Sequence, residues 1–246
     1  MAEQMGAEPI LRLEGVHTHI GQYHILQGVD FEVPRGELTV LLGRNGAGKT
    51  TTLRTIMGLW KPSQGRVVFD GQEIGGRDTP DIAQGGIAYV PEAMGIFADL
   101  TVRENMILAA RNGAPDQARL DWIFSFFPAL RKFWSLAAGH LSGGQKQMLS
   151  IARAVIEPRR LILIDEPTKG IAPAIIENMI RAFQDLKRAD TTILLVEQNF
   201  RFASMLGDGV VVMDDGRIVH RDRMAALAAD PAAQTRLLGL SLDAHQ

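Results

Sequence analysis

The 246-residue chain contains no cysteine. That excludes a disulfide scaffold and thiolate metal sites, and it fits a reducing compartment. A surplus of charge is also missing: 26 basic and 28 acidic residues leave a formal −2. A protein that grips a phosphate backbone usually carries a basic excess, so nucleic acid is not an expected partner. Nowhere does an uncharged apolar run approach the ~20 residues that a membrane-spanning helix requires. The first nine residues carry Glu3 and Glu8 without an apolar stretch and do not read as a signal peptide. Any work at a membrane is therefore expected to go through a partner. No internal repeat is visible, and low complexity is confined to the Ala-rich residues 225–233, which read as a good helix former. Length and an ordinary apolar balance leave one sizeable core, with room for a small attached lobe.

What is present is a change of period along the chain. Ile10, Leu11 and Leu13, then Val29, Phe31 and Val33, alternate like antiparallel strands. Leu38-Thr39-Val40-Leu41-Leu42 is a short, nearly continuous apolar run, the mark of a strand buried on both faces. Residues 49–59 read as a helix, and Val67-Val68-Phe69 followed by Asp70-Gly71 as a hairpin. Ile87-Ala88-Tyr89-Val90, stopped by Pro91, is another buried strand. From residue 101 to 157 the pattern is helical, opened by a capping box of Thr101 and Glu104. Strands at 161–164, 192–196 and 210–213 then alternate with helices at 173–187 and 200–206. A turn at Asp214-Asp215-Gly216 leads into 217–220, and 224–238 reads as a closing helical segment. The expected fold is a parallel α/β core with an antiparallel β patch in front and an all-helical insert. As one domain over 1–246, it divides into a core of 10–92 and 151–220, a helical subdomain of 93–150 and a C-terminal segment of 221–246.

Three motifs carry chemistry. Gly43-Arg44-Asn45-Gly46-Ala47-Gly48-Lys49-Thr50, with Thr51 behind it, fits the phosphate-loop pattern between a buried strand and a helix. Glycines there let successive N–H groups face phosphate oxygens, and the helix N-terminus adds partial positive charge. Lys49 is expected to bridge the β- and γ-phosphates of ATP, and Thr50 to offer its hydroxyl to Mg²⁺. Asp165 and Glu166 end a buried strand, where α/β sheets place ligands. Side chains of neighbouring strand residues face opposite ways, so both reach one site only if the strand stops there, and Pro167 supplies the stop. Asp165 is the candidate metal support and Glu166 the candidate base for the attacking water. Leu141-Ser142-Gly143-Gly144-Gln145 is a second glycine turn opening a helix. Ser142 and Gln145 have capping-box spacing, which leaves the two glycines unexplained, and close approach of a phosphate to bare backbone would explain them.

Phosphate loop, helical insert, LSGGQ and apolar-Asp-Glu, in that order, resemble the ATP-binding-cassette family over nearly the whole chain. The resemblance implies a phosphate-loop ATPase core with antiparallel β and helical subdomains. It also implies a head-to-tail dimer in which Ser142, Gly143, Gly144 and Gln145 act in trans on the neighbour's ATP. Two membrane permeases would be partners, gripping a groove beside the helical insert, at the cytoplasmic face of the inner membrane. Met94, Ile96, Phe97 and Leu100 are either core of the helical lobe or, Phe97 above all, part of that groove. His17, His19 and His24 show no ligand spacing and read as surface or strand residues.

Four positions depart from the family pattern. Glu92 stands where a glutamine is usual and would ligate metal or water with an added negative charge. Ala172 replaces an aspartate expected to reach across the dimer. Gln198 replaces the switch histidine; it can donate to the γ-phosphate but does not titrate near neutrality. Ile20, with Tyr23 three residues on, stands where an aromatic would stack on adenine. Pro91-Glu92, Val196-Glu197-Gln198-Asn199 and the Ala172-Pro173 pair together look like the smaller ATPase of branched-chain amino acid importers, fed by a periplasmic binding protein. Lys169 is less typical of that subunit. Export of lipid or polysaccharide, and an ATP-gated module without a transporter, are the alternatives. The unorthodox site beside an intact signature turn favours a non-identical second cassette over a copy of the same chain.

Overall fold

A computed structural model describes residues 8–239 apart from 112, 189 and 190. The signal-peptide expectation for residues 1–9 thus falls almost wholly outside the described residues, as do residues 240–246 of the C-terminal segment. The chain opens with β1 (Leu11–Ile20), β2 (Tyr23–Val33) and β3 (Leu38–Leu42), then α1 (Lys49–Ile56), β4 (Gln64–Phe69), β5 (Gln72–Glu73), α2 (Thr79–Gln84) and β6 (Ile87–Val90). Helices α3 (Val102–Ala109), α4 (Gln117–Phe126), α5 (Pro128–Lys132) and α6 (Gly143–Ala154) follow. Alternation resumes with β7 (Leu161–Asp165), α7 (Pro173–Arg188), β8 (Thr192–Glu197), α8 (Phe200–Leu206), β9 (Gly209–Asp214) and β10 (Arg217–Arg223). Two short helices, α9 (Met224–Ala228) and α10 (Pro231–Leu238), come last.

The strands form two sheets. The larger has the order β10-β9-β3-β8-β7-β6, parallel except for the antiparallel edge strand β10. The smaller, β2-β1-β4-β5, is antiparallel throughout. This is the expected α/β core with its β patch. The apolar runs explain why the central strands sit where they do. Leu38, Val40 and Leu42 face one hydrophobic cluster, shared with α3 to α8, while Leu41 faces the other, shared with α1 and the small sheet. β7 and β8 divide in the same way, Ile162, Ile164, Ile193 and Leu195 to one side and Leu161, Leu163, Leu194 and Val196 to the other. Period-two side chains with both faces covered leave no room for polar alternation.

Local chemistry moves several expected boundaries. α1 stops at Ile56, three residues short of position 59, because Gly58 takes φ 71° and ends the helix in left-handed backbone. The segment 224–238 is two helices: Pro231 cannot continue α9, and instead sits in the first turn of α10, which Asp230 caps. The helical stretch 101–157 is interrupted after Ala109, and a bridge pairs Thr101 with Ala137. The capping box at α3 is formed, with Glu104 N–H donating to Thr101 Oγ1 at 3.1 Å. Residues 93–100 of the insert form a loop, clasped by buried Asn105 through the backbone of Phe97 on both sides at 2.9 Å.

Candidate active site

The carboxyl ends of β3, β7 and β8 lie side by side, and each leads into one part of the site. After β3 the glycine loop turns sharply over β9. A Cβ on Gly43 would collide with the Met213 carbonyl, so only glycine fits there. The β9–β10 turn braces the loop from behind: Gly216 N–H donates to Ala47 O at 2.9 Å. Gly48, at φ 106°, delivers the chain into α1 with Lys49 and Thr50 at its start. Lys49 is 4 % exposed, and its Nζ donates to the carbonyls of Gly43 at 2.8 Å and Arg44 at 3.0 Å. The ammonium is thus folded back over its own loop. Arg44, Asn45 and Gly46 are exposed at the loop's rim, while Ala47 and Gly48 are buried.

β7 ends at Asp165, and Glu166 takes φ 44°, left-handed backbone that is uncommon for a non-glycine residue. This residue, ahead of Pro167, is what brings two successive carboxylates to one site. Its N–H still donates to Val196 O at 2.9 Å, so the bend is held by β8. Asp165 is fully buried and accepts from Thr50 Oγ1 at 3.1 Å and Tyr89 Oη at 3.3 Å. Burial pushes its carboxyl above the usual range, the neighbouring Glu166 and Glu92 add to the rise, and the two hydroxyl donors offset part of it. Among the described residues no ion pair reaches it. A half-buried hydroxyl beside a buried carboxylate forms a hard-oxygen pair that fits Mg²⁺.

Glu166 is surrounded by donors. Lys49 Nζ lies 3.4 Å from Oε1, Lys169 Nζ 3.7 Å from Oε2, and Gln198 Nε2 donates to Oε1 at 2.6 Å. Gln198 Nε2 also contacts Asn45 Oδ1 at 2.6 Å, tying the phosphate loop to the acidic end of β7. Glu92 is exposed and pairs with Lys169 at 2.6 Å; no hydrogen bond joins it to Asp165 or Thr50. Ile20 and Tyr23 face each other across the β1–β2 hairpin, Tyr23 65 % exposed. Ala172 is exposed before α7. Phe97 is half exposed under the Arg153 guanidinium, while Met94, Ile96 and Leu100 are partly buried. His24 stacks on His19 with centroids 4.2 Å apart and lies 2.9 Å, nitrogen to nitrogen, from His17.

The signature turn begins at the N-cap of α6, with Gln145 N–H donating to Ser142 Oγ at 3.3 Å and Ser142 N–H to Gln145 Oε1 at 2.9 Å. The capping reading is therefore realised. Gly144 also has a reason within the chain, which corrects the reading of both glycines as unexplained: a Cβ there would lie 2.5 Å from Ile175 Cγ2 of α7. Gly143 has no such neighbour, since its nearest contact would be Ile171 Cδ1 at 3.9 Å.

Two contributors escaped the sequence reading. Tyr89, in β6, supports Asp165 through its hydroxyl. Glu197 is buried at the end of β8 and accepts from the N–H groups of Thr168, Gln198 and Asn199 and from Thr168 Oγ1 at 2.8 Å. Burial raises its carboxyl, and these donors pull it part of the way back. It joins the segment after Glu166 to the segment carrying Gln198. A lone acid ending an otherwise apolar strand was the available signal.

The geometry agrees with the relationships of the chain. The family model for ABC transporters matches residues 26–169. The high-affinity branched-chain amino acid transport ATP-binding protein BraG of Pseudomonas aeruginosa is 38% identical over 232 residues, covering 94% of this chain and all of that protein. The ribose import ATP-binding protein RbsA 2 of Rubrobacter xylanophilus is 29% identical over 95% of this chain but only 46% of its own length. A solved ATP-binding subunit of an ABC transporter is similar with a TM-score of 0.78 at 30% identity, covering 95% of this chain and 96% of that one. The chain belongs to the ABC transporter family and is one of its ATP-hydrolysing cassettes.

Proposed function

We propose that this cassette powers uptake of branched-chain amino acids or a related small solute, at the cytoplasmic face of the membrane. The observation that carries the solute class is the 38% identity with BraG over the full length of that protein. No helix among the described residues is long and apolar enough to cross a membrane, so transport calls for permease partners. The groove for them is assigned beside the helical insert, with Phe97 at its edge.

Lys49 leaves its carbonyl partners for the β- and γ-phosphates, and the backbone of residues 43–51 wraps them. Ile20 and Tyr23 lie at the adenine end. Thr50 and Asp165 would hold Mg²⁺, with Glu92 near; bound there, the ion would neutralise charge developing on the phosphates. Glu166 accepts the proton of the attacking water once Lys49 turns to phosphate, and Gln198 exchanges Glu166 for the γ-phosphate as its hydrogen-bond partner. Ser142, Gly143 and Gln145 complete the site of a second, non-identical cassette, and Gly144 lets their turn approach α7. A periplasmic binding protein delivers the solute.

The test is reconstitution of the cassette with its permeases and binding protein in vesicles, followed by leucine and ribose uptake. Leucine should accumulate with ATP, and Glu166→Gln should lower hydrolysis by about 10²–10⁴-fold while trapping an ATP-bound dimer. Ribose uptake without leucine uptake would reassign the solute. Wild-type hydrolysis by Glu166→Gln would remove it as the base.

A further inference from the structure

Lys169 follows β7 in an exposed stretch, four residues beyond Asp165. Its ammonium sits between two carboxylates, 2.6 Å from Glu92 Oε1 and 3.7 Å from Glu166 Oε2. As a stabilising contact the Lys169–Glu92 pair is weak, because the side chains are 56 % and 43 % exposed and water screens them. Its position matters more than its strength. Glu92, Asp165 and Glu166 gather three carboxylates near the place where a triphosphate must enter, and Asp165 is close enough to Glu92 to be perturbed by it. An amide at position 92 would carry no net charge to repel phosphate and would hold the lysine only through its carbonyl oxygen. A carboxylate repels phosphate and attracts the ammonium, though at an exposed rim water screens both effects to about fivefold in affinity or less.

We propose that Lys169 is a positioning residue of the nucleotide site: it holds Glu92 beside Glu166 and supplies positive charge that offsets the acid at position 92 when a polyphosphate binds. This inference rests on the site reading given above. Lys49 and Lys169 then divide the work. Lys49, buried, reaches the phosphates, while Lys169, at the rim, neutralises the carboxylate they would otherwise meet.

The test is a double-mutant cycle on ATP binding, measured with a fluorescent ATP analogue in EDTA so that the metal makes no contribution. Lys169→Gln should weaken binding about fivefold, the scale of one exposed ion pair. Lys169→Arg should retain wild-type affinity. Glu92→Gln, alone or combined with Lys169→Gln, should stay within about twofold of wild type, because the acid that Lys169 offsets is gone. Thermal midpoints of all variants should agree, separating a charge effect from a folding effect. Independent, additive losses, or unchanged affinity in Lys169→Gln, would overturn the proposal. Lys49→Ala serves as the control for the site itself. If it keeps full affinity, the site reading fails; if it loses binding while the cycle shows no coupling, only the role of Lys169 fails.

Discussion

Tyr89 shows how a single side chain can be read in two ways. In the sequence it is one more apolar residue of a buried strand; in the fold its hydroxyl donates to Asp165. Burial, reinforced by that carboxylate, pushes the phenol up to about 12. The ordinary value is near 10. The folded chain therefore keeps the proton that the unfolded chain releases, and the stability this provides is complete below about pH 10 and lost as pH rises through about 12. Urea midpoints should accordingly fall more steeply for wild type than for Tyr89→Phe between those limits. Parallel slopes would mean that Tyr89 is not held neutral by the fold. Asp165 carries the same lesson, since its direct partners Thr50 and Tyr89 lie far from it in sequence. The placement of Lys49 and Glu166 at adjoining strand ends was legible because their motifs are local. Glu197 was not, because what makes it matter is four donors from two loops.

At the scale of elements, the glycines of the α6 turn separate cleanly. Gly144 faces Ile175, and an added methyl at 2.5 Å must push α7 away. Overpacking of that kind costs about 1–3 kcal/mol, more than the ~1 kcal/mol that alanine gains over glycine in a helix. Gly144→Ala should lower the denaturation free energy, by up to about 2 kcal/mol. Gly143→Ala, with open space around it, should leave stability level or slightly raised while impairing hydrolysis in the cassette it faces. Chemical denaturation of the two variants side by side decides the matter; equal destabilisation would erase the distinction. The strands, the capping box and the hairpin turns were readable from the sequence because each depends on residues within a few positions. The split of 224–238 at Pro231 was a local signal too, though the Ala-rich composition masked it.

In the proposed head-to-tail pair, the whole molecule would supply half of each of two sites. The phosphate loop, Glu166 and Gln198 converge at the carboxyl ends of β3, β7 and β8, whereas the α6 turn belongs to the helical insert. A mixed dimer that carries Ser142→Ala in only one cassette should lose hydrolysis in the opposite cassette's site alone. Equal loss at both sites, measured with one catalytic glutamate silenced at a time, would argue against action in trans. By itself the sequence determined the family, the α/β class, the phosphate loop and the acidic pair, because these follow from hydrophobic period and short motifs, which are local. Tertiary structure alone decided that Glu166 turns back through left-handed backbone, that Gln198 spans Asn45 and Glu166, and that Lys169 stands between Glu92 and Glu166. A charged pair separated by 77 positions and an amide pair separated by 153 have no mutual register until the sheet aligns the strand ends, and only then do these polar groups meet.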